Sequence, residues 1–268
     1  MNQHPFDEAT ALQAAGPGRF SGRTSEAYAN MVGPFGGITA ATVLNAVMQH
    51  PERQGVPVAF TVNFCAALAD GAFEVKAEVA RSNRSTQHWT LGIEQNGETV
   101  LTATALTATR RETWGAQELR VPQLLSPAAM GASSQPAPVA WLKRYDLRYA
   151  EGPLPRVWDG SGESSRSTLW MRDEPPRALD FVSLVAVCDA FYPRVLLRRA
   201  TAVPAGTVSM TVYFHAGEAE LAAVGDGWLL GQAETSAFRH GFFDQRAQMW
   251  SQAGVLLATS HQMVYFKE

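Results

Sequence analysis

Only two cysteines, Cys65 and Cys188, occur in the chain, far apart and without the CxxC or Cys/His spacing of a zinc site. A disulfide scaffold and a zinc module are excluded, and both thiols are expected as reduced core residues. An excess of positive charge is also missing: the net charge is -3, the pI is near 6.1, and no run of like charges forms a tail. Nucleic acid and anionic membrane surfaces are therefore not expected as partners. No stretch of about 18 apolar residues appears, and no basic segment leads into an apolar one near the start. Neither a membrane-spanning helix nor a secretion signal is expected, and the cytoplasm is the expected location. What is present is a chain of 268 residues, enough for one large domain or two ordinary ones, each with a core of its own.

Residues 1 to 19 are polar and rich in Ala and Gly, with little periodicity, and are expected to form a loose N-terminus. Phe20 to Val32 has the composition of a strand and ends in Gly33-Pro34-Phe35-Gly36-Gly37. A helix is predicted from Ile38 to Gln49. The glycines before it either make a tight turn or let a ligand approach the free amides of the helix start. Four strands follow, over Val58–Phe64, Phe73–Ala80, Gln87–Glu94 and Thr99–Thr109. The last two are joined by Asn96-Gly97, a type I′ hairpin signal because both residues accept positive φ. Residues 114 to 140, with Pro122, Pro127, Pro136 and Pro138, read as a linker.

The order then repeats. Strands are predicted over Trp141–Tyr149 and Ser167–Arg172, a helix from Leu179 to Tyr192, and four more strands over Val208–Phe214, Trp228–Thr235, Asp244–Ser251 and Val255–Phe266. Phe60 to Phe64 (FTVNF) echoes Met210 to Phe214 (MTVYF), and Gly71 and Leu101 fall opposite Gly227 and Leu257. The fold class expected is α+β: two units, 20–113 and 141–268, each a helix wrapped by an antiparallel sheet that buries its apolar surface.

The second helix is apolar on nearly every face, which implies protein on most sides. Asp180 and Ser183 share one side of it, whereas Asp189 points about 180° from Asp180. Desolvation and the negative end of the helix dipole both disfavour an inward carboxylate near a helix C-terminus, so Asp189 requires partners. The alternative is a solvated Asp ahead of Pro193, which is expected to stop the helix. In the last strand, alternation puts Gln262 on the face of Ala258, Ser260, Val264 and Phe266. A buried amide there needs partners, in backbone or elsewhere. Thr207 opens a strand after Pro204, where a local turn or a site role would each suit it.

Four stretches, in this order and spacing, resemble the double hot-dog acyl-CoA thioesterases of the thioesterase II type. They are Gly33 to Gly37, Leu179 to Pro193 with its Cys-Asp-Ala-Phe-Tyr-Pro ending, Pro204 to His215, and Gly254 to Gln262. The resemblance runs over about residues 20 to 266. It implies a double hot-dog fold, with two units side by side, and hydrolysis of acyl-CoA to free acid and CoA. The family's polar triad of Asp, Thr or Ser, and Gln carries over onto Asp189, Thr207 and Gln262, with Asp189 as general base toward a water positioned by the other two. It also implies that the first unit, with Gly36, Gly37 and no Asp in its helix, shapes the substrate channel without doing chemistry; Asn45 in that helix is not a base. No metal or separate cofactor is implied, coenzyme A being part of the substrate.

His240, in the loop before Phe242, has no clear counterpart in the family and either lines the substrate entrance or is an exposed loop residue. The pairs Arg110/Arg111 and Arg198/Arg199 could meet the phosphates of coenzyme A or stay solvated. Two other functions compete with hydrolysis. A hot-dog hydratase or dehydratase would need a histidine near Asp189 or at a helix start, and a non-catalytic acyl-CoA or fatty-acid binding protein would have kept the fold alone. Acyl chain length is not legible, and monomer and homo-oligomer both stay open.

Overall fold

The computed structural model describes residues 3–131 and 137–268. In chain order the elements are α1 (Pro5–Ala9), β1 (Gln13–Gly16), β2 (Arg19–Arg23), α2 (Gly36–Gln49), β3 (Val56–Phe64), β4 (Ala72–Ser82), β5 (Thr86–Gln95) and β6 (Glu98–Ala108). After the linker come α3 (Pro127–Met130), β7 (Tyr145–Glu151), β8 (Ser167–Asp173), α4 (Phe181–Cys188), α5 (Arg194–Arg199) and β9 (Ala205–Phe214). The chain ends with α6 (Glu218–Val224), β10 (Leu229–Glu234), β11 (Phe238–Arg239), β12 (Phe242–Ser251) and β13 (Leu256–Phe266).

The strands form one antiparallel sheet in the order β1-β2-β4-β5-β6-β3-β9-β13-β12-β10-β8-β7, with β11 paired to β12. Read outward from the β3/β9 junction, both halves run in the same sequence of strands. At the junction Thr61 pairs with Thr211, Ala59 with Tyr213 and Asn63 with Ser209, and the Thr61 and Thr211 hydroxyls meet at 3.0 Å. That ladder maps onto itself under a two-fold rotation, so the FTVNF and MTVYF echoes are structural counterparts. The Leu101/Leu257 match is one residue out. Cys65 and Ala66 both donate to the Val100 carbonyl as His215 and Ala216 both donate to Leu257, which makes Val100 the counterpart of Leu257.

α2 and α4 pack together inside the curve of the sheet, and residues of both halves join in one continuous core. The Asn96-Gly97 hairpin is present, with φ of 55° and 82°. All eight residues of α4 are buried, and its Asp180 N-cap forms a capping box with Ser183.

Several expectations are corrected. The second helix does not run to Tyr192: it ends at Cys188, Asp189 is its C-cap, and Pro193 is the N-cap of α5. A long central helix is therefore found in the first half and a short one in the second. The loose N-terminus is not observed over the described residues 3–19. Phe6 is fully buried in α1, Asp7 bonds Arg177, and β1 and β2 extend the sheet. The strand expected from Phe20 to Val32 stops at Arg23. Cys188 is buried as expected, but Cys65 is exposed.

Of the linker, residues 132–136, including Pro136, lie outside the described residues. The described part covers the outer face of the second half, where Val121, Leu124 and Met130 pack on Trp170, Leu230 and Trp250. Arg110 lies at the junction, exposed along part of its length, and donates to the carbonyls of Pro57 and Phe214, one from each half.

Candidate active site

Asp189 leaves the helical path at the end of α4, and its carboxylate is carried toward β13 and the start of α2. Only 9% of the residue is exposed. Its Oδ1 accepts a hydrogen bond from Gln262 Nε2 at 2.9 Å, and Gln262 Oε1 accepts one from the Thr207 hydroxyl at 3.0 Å. The alternation of β13 buries Gln262 and exposes His261 and Met263 on either side. The three polar residues thus form one chain, Thr207 to Gln262 to Asp189, drawn from β9, β13 and the turn after α4.

The other half supplies the opposite wall. The Gly37 amide faces the Asp189 carboxylate and favours its charged form, and Phe35, the N-cap of α2, makes no side-chain capping bond. Both glycines are required by this approach. A Cβ on Gly36 would lie 2.9 Å from Asp189 Oδ2, and one on Gly37 would lie 2.5 Å from the Phe35 ring and 2.7 Å from the Ala186 carbonyl. The positive end of the α2 dipole faces the carboxylate.

Burial is the largest influence on Asp189 and pushes its pKa up to about 7, against the hydrogen bonds from Gln262 and Gly37, which favour the charged form. Near neutral pH this carboxyl is poised between acid and base. Among the described residues no histidine acts on it, and no cluster of three or more His, Cys, Asp or Glu side chains suited to a metal is found.

His240 is not part of this cluster. It is an exposed residue with φ of 51° in the turn between β11 and β12, about five residues, or roughly 15 Å of strand, beyond the Gln245/Gln262 pair. Two residues under the site were not singled out in the sequence. Arg194 is fully buried and donates to the Tyr192 carbonyl, the Ser167 hydroxyl and Gln245 Oε1; Gln245 in turn is the cross-strand neighbour of Gln262. This fork pins the turn after Asp189 to the sheet. The signal was there, since Arg194 directly follows Pro193 of the motif. Of the paired arginines, Arg198 bonds the Gly162 carbonyl and Arg199 meets Glu268, while Arg111 is exposed beside the junction residue Arg110.

A duplicated helix-and-sheet unit with a polar cluster between the two central helices is the hot-dog architecture. Residues 25–108 match the acyl-CoA thioesterase N-terminal domain and residues 121–266 the acyl-CoA thioesterase C-terminal domain, and the chain belongs to that family. Among solved structures it is similar to a hot-dog-fold protein of unknown function from Alicyclobacillus acidocaldarius, with 46% identity over 100% of this chain and 99% of that one and a TM-score of 0.95. It shares its fold with a putative thioesterase II from Thermobifida fusca, at 19% identity, coverage of 100% and 99%, and a TM-score of 0.81. An acyl-CoA thioesterase II from Mycobacterium marinum is similar in fold at 17% identity, 98% coverage of each chain and a TM-score of 0.79. No curated protein matches the sequence significantly. Among the described residues no helix is long and apolar enough to cross a membrane.

Proposed function

We propose that the protein hydrolyses an acyl-CoA thioester to the free acid and CoA, with Asp189 as general base toward the attacking water. The observation that carries this reading is the continuous chain from Thr207 through Gln262 to a buried Asp189 that faces the uncapped start of α2. Gln262 and Thr207 hold the carboxylate in one orientation. A base with a pKa near 7 is matched to proton transfer at neutral pH.

Water adds to the thioester carbonyl as Asp189 takes its proton. The oxygen that gains charge is stabilised by the amides of the first turn of α2, the donors already aimed at this point. Collapse of the tetrahedral intermediate expels the CoA thiolate, which takes up the proton held by Asp189. No metal, separate cofactor or covalent enzyme intermediate is needed in this sequence. Gly36 and Gly37 serve the substrate by keeping the channel wall bare. The substrate entrance is not assigned to His240.

The test is free-thiol release from short, medium and long acyl-CoAs, comparing the wild type with Asp189→Asn. Turnover of at least one substrate and a loss of about a hundredfold or more in the variant support the reading. Binding of acyl-CoA by both proteins without thiol release replaces the hydrolase with an acyl-CoA binding protein. Unchanged activity in Asp189→Asn keeps the enzyme and removes this site.

A further inference from the structure

Beside the reaction centre, on the far side of Phe35, lies a second polar cluster that the hydrolytic chemistry does not use. Tyr145 and Asp173 are direct cross-strand partners on β7 and β8, and the Tyr28 ring packs edge-on against Tyr145 with centroids 6.4 Å apart. Trp141 stands next to Tyr145 at 6.1 Å. All four residues are at least nine-tenths buried. Among the described residues, the hydroxyls of Tyr28 and Tyr145, the Trp141 indole nitrogen and Asp173 Oδ1 are closed off from solvent and have no hydrogen-bond partner. Four such atoms in one place are unusual. A buried polar group without a partner costs about 1–3 kcal/mol, and native proteins hold only a few per hundred residues.

Phe35 joins this cluster to the reaction centre. Its ring is stacked on Trp141 at 4.2 Å and set edge-on to Tyr145 at 6.3 Å, while the same ring presses on Gly37, whose amide faces Asp189. The Asp189 charge is also felt at the Tyr145 phenol. The wall next to the thioester is thus aromatic, and behind it stand groups able to bond a guest. The two hydroxyls and the indole can donate, and Asp173, held by burial near a pKa of about 7, can donate or accept at neutrality.

We propose that Tyr28, Trp141, Tyr145 and Asp173 form a subsite for a hydrogen-bonding group on the acyl chain, so that the preferred thioesters carry a hydroxyl or similar polar group rather than a plain saturated chain. The proposal rests on the hydrolase reading. A plain hydrocarbon would leave these groups unpaired, and sites built to bond a substrate hydroxyl discriminate strongly against the analogue that lacks it.

The experiment measures kcat/KM for pairs of acyl-CoAs of equal length, one saturated and one hydroxylated, with the hydroxyl walked along the chain, for wild type, Tyr145→Phe and Asp173→Asn. Affinities of the same pairs for Asp189→Asn are measured by calorimetry. The expected result is a preference of about tenfold or more for one hydroxylated position. Tyr145→Phe is expected to erase that preference while leaving the saturated partner within about twofold. No preference at any position in both turnover and binding overturns the subsite and leaves the hydrolase intact. If no substrate releases thiol, the hydrolase fails, and the calorimetric pairs decide the subsite alone. Should Asp173→Asn fail to fold, Tyr28→Phe takes its place with the same two outcomes.

Discussion

The two halves of the sheet share a strand order and a two-fold ladder, yet only one of them carries a linked polar chain at the equivalent positions. By the junction pairing, Thr207 corresponds to Pro57, and since Met210 pairs with Gln262 as Phe60 pairs with Ala105, Gln262 corresponds to Ala105. Counted from the helix N-caps Asp180 and Phe35, Asp189 at the end of α4 corresponds to the buried Leu44 within α2, and the nearest polar residue there is Asn45. Asn45 donates to the Thr10 carbonyl at 2.8 Å, fixing the chain that leaves α1. The start of α4 is likewise occupied: its N-cap Asp180 bonds Arg177, which also reaches Asp7 of α1 and lies over the Phe6 ring at 4.9 Å. One helix start is bare and faces a carboxylate; the other is capped, charged and covered by the N-terminal helix. Duplication here has placed the buried carboxylate in one half and the bare helix start that faces it in the other.

The sharpest way to break this comparison is Asp189→Asn, which should lower turnover about a hundredfold or more and yet raise stability at alkaline pH. The sign follows from the raised pKa. Between the ordinary value of 3.8 and about 7, the native carboxyl holds a proton that the unfolded chain has lost, so Asp189 makes stability fall as pH rises through that window. Thermal melts of wild type and variant should coincide near pH 4 and separate most near pH 8, by at most ~4 kcal/mol. The wild-type rate should rise with pH through about 7. A variant no more stable at pH 8 than at pH 4, relative to wild type, contradicts the burial of this charge.

Gly37→Ala comes next. Its Cβ meets the Ala186 carbonyl, which is backbone and cannot swing away, so α2 must lift from α4. A loss of more than about tenfold in kcat and about 1–3 kcal/mol in denaturant melts is expected. Thr207→Val removes the donor to Gln262 and should reduce kcat about tenfold with KM little changed. Asn45→Ala tests the other half: about 1 kcal/mol of stability is lost with the Thr10 bond, and kcat stays within twofold. His240→Ala should be the smallest effect, with kcat/KM within about twofold.

The succession of strands along the chain, the Asn96-Gly97 turn and the inward face of Gln262 were legible because each is written in period-two alternation or in positive-φ turn chemistry, whereas the order of the strands across the sheet came only with the structure. The inward direction of Asp189 was legible from helical spacing. Its release from the helix at Cys188 was not, because an apolar run from Leu179 to Tyr192 looks alike whether its last residues are helical or turn into an adjacent pocket. The ordered N-terminus was hidden for a related reason. Residues 3–12 have no amphipathic period, and what holds α1 is one buried Phe6 together with partners some 170 residues away, Pro175 and Arg177. His240 drew attention by residue type, while Arg194, which holds the turn after Asp189, showed only a position beside Pro193.

The β3/β9 ladder also sets a length scale for the chemistry. A slip of two residues along it would keep every strand side chain on its own face, yet would slide one half past the other by about 7 Å and shear the core that the halves share. The Gly37 amide and the Asp189 carboxylate belong to opposite halves, so that slip would separate them completely. The ladder acts as a vernier between the two halves. The paired threonines at its centre, Thr61 and Thr211, hold the setting at which the site exists.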